Sequence, residues 1–318
     1  MCIRDRRELS ERGAVGVIVL PSARAKKSVA ESVGPRTRGV SSRKGLRWDV
    51  SEPRVGFPVL HFTEELTETS GVALAAKKTR AGKELEGWSL EEHCAYGDLG
   101  EITLENVVGV WPGSDPKLAK ETIILSAHYD HVGYSGTTEV HNGADDNGSG
   151  TCGLLAIAEA LEAHGPMRRT VMLMWVSAEE KGLLGSEAWA KDPYLPNELK
   201  PICNINIDMI GRNKPNEFLI TPTNKHEAYS ALTRVAEANA KSEGFTKIKS
   251  ADAYWERSDH RNFKVHMGLP VAFLFCDVHP DYHRSSDTPD KIDYGKVRRI
   301  CRLVVRMLDA LQVDEPKF

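Results

Sequence analysis

Four apolar runs in the sequence end on residues that bind cations or move protons. The run at 122–128 delivers His128 and, one residue beyond Tyr129, Asp130. GADDNGSG (143–150) sets Asp145 and Asp146 between glycines, just ahead of an amphipathic stretch. The run at 169–177 passes through Ala178 straight into the adjacent carboxylates Glu179 and Glu180, and CNINI ends on Asp208. His283 lies in the turn-rich loop that follows the run at 270–277. Taken alone, each has an ordinary explanation: a solvated loop pair, a turn and helix cap, a strand-end turn residue. Taken together they bring histidines and several carboxylates to one edge of one sheet, where they would repel one another unless cations sat among them. Imidazole mixed with carboxylate and no thiolate suits zinc, and the donors exceed what one tetrahedral ion can use. His131, His141 and His279 compete with His128 and His283 for the imidazole roles.

The elements that must position these residues follow from periodicity. Runs at 105–111, 122–128, 169–177, 203–208 and 270–277 are rich in β-branched and apolar residues, several of them apolar on both faces as in a covered sheet. Leu154, Ile157, Ala158 and Leu161 form a helical stripe closed by Gly165 and Pro166, and Val297, Ile300, Cys301, Val304, Leu308 and Leu311 form another. Residues 225–244 read as a further helix ending at Gly244, and SDHRNF (258–263) reads equally as the start of another helix capped by Ser258 or as a segment that helps to line a pocket. This alternation is that of an α/β sheet, with ligands expected outside the carboxyl ends of the strands. Upstream, 13–22 and 57–62 read as strands and 63–78 as a helix capped by Thr63. The basic, Ser/Gly-rich residues 23–47 read as a solvated loop, with an anionic partner as the alternative. The expected division is a partial lobe at 1–85 and a catalytic domain at 86–318.

Composition excludes several classes. Lys plus Arg number 42 against 45 Asp plus Glu, a net charge of −3, so there is no global footprint for nucleic acid. Hydrophobic residues at 41% and charged residues at 27% are those of a globular chain and argue against wholesale disorder. No stretch approaches the roughly 18 apolar residues of a membrane span. The six cysteines lie far apart without a CxxC pair, and Cys152, Cys203, Cys276 and Cys301 read as small buried hydrophobes. The charged start lacks the apolar core of a signal peptide and reads as a chain cut within a domain. Nothing in the sequence indicates an oligomeric state.

The order SAHYDHVG, GADDNGSG, SAEEKGLLGS, NIDMIGR and DYHRSSDTPDKID resembles the co-catalytic di-zinc aminopeptidases of the bacterial leucyl aminopeptidase type, over roughly residues 100–312. Residues 13–80 resemble, more weakly, the second half of a protease-associated domain. The resemblance implies an α/β fold with a mostly parallel mixed sheet flanked by helices on both faces. It implies a metalloaminopeptidase acting on peptide substrates with two zinc ions per chain, and an exported protein, secreted or periplasmic. It implies that His128 and Asp208 hold one zinc, Glu180 and His283 the other, and that Asp145 bridges them. Glu179 would then be the general base, and the Asp130 carboxylate would accept the second ring proton of His128 and fix its tautomer. A cis peptide is expected between Asp145 and Asp146. Three rivals remain: a carboxypeptidase, for which Arg212 could bind a terminal carboxylate; a one-zinc enzyme of the glutaminyl cyclase kind; and a metal-free, receptor-like binding scaffold.

Overall fold

The computed structural model describes residues 103–135 and 139–316, with the backbone of two short strands nearer the N-terminus. The chain divides into two compact units, Met1–Ile102 and Thr103–Phe318. In the first, β1 (Val17–Val19) pairs in parallel with β2 (Val59–His61), within the runs expected to be strands. The expected loop at 23–47, the helix at 63–78 and the boundary at residue 85 lie outside the described residues.

The second unit is built on β3 (Val107–Trp111), β4 (Glu121–His128), β7 (Thr170–Val176), β8 (Lys200–Asp208), β9 (Glu217–Thr221), β10 (Lys247–Ser250) and β11 (Val271–Phe275). A short antiparallel pair, β5 (Tyr134–Ser135) and β6 (Glu139–Val140), stands apart from this sheet. The seven strands run in the order β10-β9-β11-β8-β4-β7-β3, with β11, β8, β4 and β7 mutually parallel and β3 antiparallel at one edge. The helices are α1 (Gly150–His164), α2 (Leu184–Lys191), α3 (Ala231–Ala240), α4 (His260–Met267) and α5 (Tyr294–Ala310).

The period of two along the central strands sorts side chains between two cores. Ile123, Leu125, Val171 and Leu173 pack with Leu154 and Ile157 of α1, Leu232 of α3 and Val304 of α5. Ile124, Met172 and Met174 face the other way, against Trp189 of α2 and Phe263 of α4. Both faces are therefore covered, which is why these strands read as continuous apolar runs. The expected stripes on α1 and α5 are the buried ones, and Asp293 caps α5 by accepting from the Lys296 amide at 2.9 Å. The helix expected over 225–244 is shorter: Ser230 caps it and it tightens into a 3₁₀ turn before Gly244. Cys203, Cys276 and Cys301 are buried as expected, but Cys152 is exposed, because it lies on the side of α1 away from the Leu154–Ile157–Leu161 stripe.

Candidate metal centre

Since β7, β4, β8 and β11 are adjacent and parallel, their carboxyl ends open on one edge of the sheet. His128 is the last residue of β4 and Asp208 the last of β8, while Glu179 and Glu180 follow β7 and His283 lies in the loop after β11. The GADDNGSG turn enters the same edge just before α1. Its approach is tight: a Cβ on Gly150 would lie 2.7 Å from the Ile207 carbonyl. The Asn147 side chain ties the turn to β8 by donating to Ile207 O at 3.2 Å and accepting from the Met209 and Gly150 amides at 3.2 and 2.9 Å.

The carboxylate between the two halves of the site is Asp146, and the expectation for Asp145 is corrected. Asp145 turns away: its Oδ1 accepts from the Gly211 amide at 2.7 Å and its Oδ2 lies 3.3 Å from His279 Nε2. Asp146 Oδ1 is 3.4 Å from His128 Nε2, and Asp146 Oδ2 is 3.0 Å from His283 Nε2. The cis peptide likewise lies one bond later than expected, between Asp146 and Asn147. Two carboxylates in succession look alike in sequence. Which one faces the edge is decided by Asp287, fully buried, whose Oδ2 accepts from the Asp145 and Asp146 amides at 2.9 and 3.2 Å.

Two donor groups result. His128 Nε2 lies 3.3 Å from Asp208 Oδ1, with Asp146 as the third member. Glu180 lies 3.1 Å from His283 Nε2 through its Oε2 and 3.0 Å from His131 Nδ1 through its Oε1, and Asp146 belongs to this group too. His131, a competitor for the imidazole roles in the sequence, thus joins His283 at this end; its signal was a place three residues after His128 in the same loop. His279, the other rival, pairs with Asp145 instead.

These groups fit a zinc pair. Two ligand atoms about 2.0 to 2.1 Å from one tetrahedral zinc are about 3.3 Å apart, close to the separations found here. Nor are they simple hydrogen bonds, because His128 Nε2, Asp146 Oδ2, Asp208 Oδ1, Glu180 Oε1 and His283 Nε2 are buried atoms without a hydrogen-bond partner. Burial opposes charge on His128, but the Asp208 charge and the nearby carboxylates of Asp130 and Asp146 outweigh it and raise its pKa well above the ordinary value. Burial works the same way against His283, yet Asp146 and Glu180 hold it up at about 9. Such imidazoles seek positive charge, which a proton or a cation supplies.

The surroundings hold the donors in place. Asp130 Oδ1 and Oδ2 accept from the Glu179 and Glu180 amides at 3.0 and 3.2 Å. His128 Nδ1 is 3.1 Å from the Asp130 backbone carbonyl and 3.5 Å from its carboxylate, so the carbonyl is the nearer partner for the second ring nitrogen, where the resemblance implies the carboxylate. Ser258 caps no helix with its side chain; its hydroxyl donates to Asp208 Oδ2 at 2.9 Å and accepts from Asn206 Nδ2 at 2.9 Å. Glu179 takes no part in either donor group. It lines a cleft with Met209, Tyr254, Phe273, Tyr282 and Arg257, and burial pushes its pKa well above the usual carboxylate range.

Residues 106–308, more than half of the chain, match the model of Peptidase family M28. The chain belongs to that family. It is similar to "Aminopeptidase YwaD" of Bacillus subtilis, 28% identical over 285 residues that cover 86% of this chain and 53% of that protein. A "Probable leucine aminopeptidase" of Arthroderma otae is 29% identical over 211 residues, 63% of this chain and 56% of the relative. The chain thus spans about half the length of these curated relatives. Among solved structures, BSAP, a zinc aminopeptidase from Bacillus subtilis, superposes with a TM-score of 0.54 at 26% identity, over 67% of this chain and 51% of that one. An aminopeptidase from Aneurinibacillus sp. strain AM-1 shares the fold, with a TM-score of 0.64 at 22% identity, over 100% of this chain and 70% of that one.

Proposed function

We propose that the M28 chain is a zinc aminopeptidase that removes N-terminal residues from peptides, with His128, Asp208 and Asp146 around one ion and Glu180, His283 and Asp146 around the other. The carrying observation is that Asp146 reaches both His128, at 3.4 Å through Oδ1, and His283, at 3.0 Å through Oδ2, while Glu179, beside them, belongs to neither donor group. A bound zinc pair would supply Lewis acidity toward the scissile carbonyl and an acidified water. Glu179 faces the cleft as a carboxylate whose basicity is raised by burial, suited to take a proton and return it to the leaving amine. Asp130 fixes the backbone that carries Glu179, so that its side chain and that of Glu180 serve different ends.

The placement of Arg212 supports an aminopeptidase over a carboxypeptidase. Its guanidinium donates to Asp281 Oδ2 at 2.7 Å and lies 3.5 Å from Asp287 Oδ1, committed to two carboxylates of the chain itself. Among the described residues, Arg257 is the cation that lines the cleft, and it donates to the Tyr282 hydroxyl at 3.0 Å. A carboxypeptidase would have to use it. Paired assays on amino-blocked and carboxyl-blocked dipeptides separate the two readings, and cleavage of only the amino-blocked substrate would overturn ours. Glu179→Gln should lower turnover about 10² to 10⁴-fold with zinc content unchanged, and wild-type turnover in that variant would remove Glu179 from its role. We also propose that residues 1–85 are part of a protease-associated lobe and that the protein works outside the cytoplasm, as the resemblance implies; fractionation of the producing cell tests the location.

A further inference from the structure

The imidazole of His131 is placed like a ligand and not like a hydrogen-bonding neighbour. Its Nδ1 lies 3.0 Å from Glu180 Oε1 and 3.8 Å from Asp146 Oδ2. Despite that approach, His131 Nδ1, His131 Nε2 and Glu180 Oε1 all lack a hydrogen-bond partner, and all are buried. Two polar atoms this close, yet misaligned for a hydrogen bond, are aimed at a shared point beside them and not at each other. The separation matches that of two ligand atoms on one tetrahedral ion, about 3.3 Å.

The backbone is shaped to admit the ring. Gly143 adopts φ +63°, and a Cβ there would fall 2.7 Å from His131 Cγ, so a residue without a side chain is required where the ring passes. On its other side the ring meets His283 edge-on, with centroids 5.7 Å apart and planes at 74°. His131 and His283 therefore reach the same Glu180 carboxylate, one at each oxygen.

We propose that His131 is an additional protein ligand of the second ion, so that Glu180, Asp146, His283 and His131 hold that ion while His128, Asp208 and Asp146 hold the other. This rests on the zinc-pair reading above. It makes the two ions unequal: the second has two imidazoles, the partly exposed His283 from the loop after β11 and the more deeply buried His131 from the loop after β4. Loss of His283 alone would leave three donors in place.

Zinc bound per chain, measured against buffered free zinc, tests the proposal on the full chain. Wild type should take up two ions. His131→Ala should keep one at the wild-type midpoint and bind the other at least about tenfold more weakly, and His131→Ala combined with His283→Ala should stop at one. X-ray absorption on the loaded protein should count three imidazoles per zinc pair in wild type and two in His131→Ala. His131→Gln guards against a merely positional role: a side chain that only steadied Glu180 by hydrogen bonding would be replaced by the amide, restoring affinity and leaving the imidazole count at two throughout. That result, or an unchanged midpoint in a folded His131→Ala protein, overturns the proposal alone. A wild-type chain that takes up no zinc overturns the parent reading as well, and is seen before any variant is made.

Discussion

The two ends of the central sheet both bury charge, and they treat it in opposite ways. At the end where β7 begins, the Arg169 side chain is 0% exposed and its donors are engaged: Nε with Glu121 Oε2 at 2.8 Å, Nη1 with the Leu311 and Val313 carbonyls at 2.6 Å each, Nη2 with the Asp314 carbonyl at 3.3 Å. It closes the C-terminal end of α5 with the cation that those carbonyls call for. At the other end His128, Asp146, Glu180, Asp208 and His283 each leave a buried atom without a partner, among them His128 Nε2 3.3 Å from Asp208 Oδ1 and His283 Nε2 3.0 Å from Asp146 Oδ2. The fold can satisfy a buried charge from its own groups. Where it leaves a converging set of acid and imidazole atoms unsatisfied, the missing partner is external.

The sharpest way to break that contrast is at Asp146. Asp146→Asn should weaken both zinc sites by more than about 100-fold, beyond what outer groups contribute, whereas Asp145→Asn should keep two ions, as metal analysis would show. Equal losses in both variants would return the bridging position to doubt. At the other end Arg169→Met should cost about 3 kcal/mol in denaturant unfolding by orphaning Glu121 and three carbonyls, with zinc content unchanged in the folded protein. Ser258→Ala, which frees Asp208 Oδ2 from its donor, should lower affinity for the first ion by about 10 to 100-fold while leaving the second. A test confined to acid pH is at His260, whose ring nitrogens are also unpartnered but whose surroundings are the rings of Phe273 and Trp255, with His226 and the Arg261 cation nearby. Burial pushes its pKa down to about 3. The unfolded chain therefore binds this proton first, and stability is lost as pH falls from about 6.5 toward 3, at about 1.4 kcal/mol per pH unit. His260→Phe should remove one proton from the acid-unfolding slope, and no change in slope would show that His260 is not neutral in the fold.

Much of this arrangement was legible in the sequence, because a covered parallel sheet writes itself as apolar runs and its ligands come at their ends. β4, β7, β8 and β11 fall within a few residues of the expected runs. The peripheral β9 and β10 leave no continuous apolar run in the expected set; β10, with the pattern KIKS, has the alternation of a half-exposed edge. The resemblance points to Asp145, whereas the side chain that faces the edge is Asp146, in a turn whose amides are held by Asp287 from 141 and 142 residues away. Ser258 reads as a helix cap by position and becomes a partner of Asp208 only when α4 is laid beside β8. In each case local pattern gave the element, and a long-range hydrogen bond chose the side chain.

The loop after β11 carries His283, which reaches the cluster, and four residues later Asp287, which grips the backbone of the turn bearing Asp146. Specificity engineering that swaps this loop would thus transplant the His283 imidazole together with the clamp on its neighbour's main chain. The two segments form one cassette, to be exchanged as a pair or left alone.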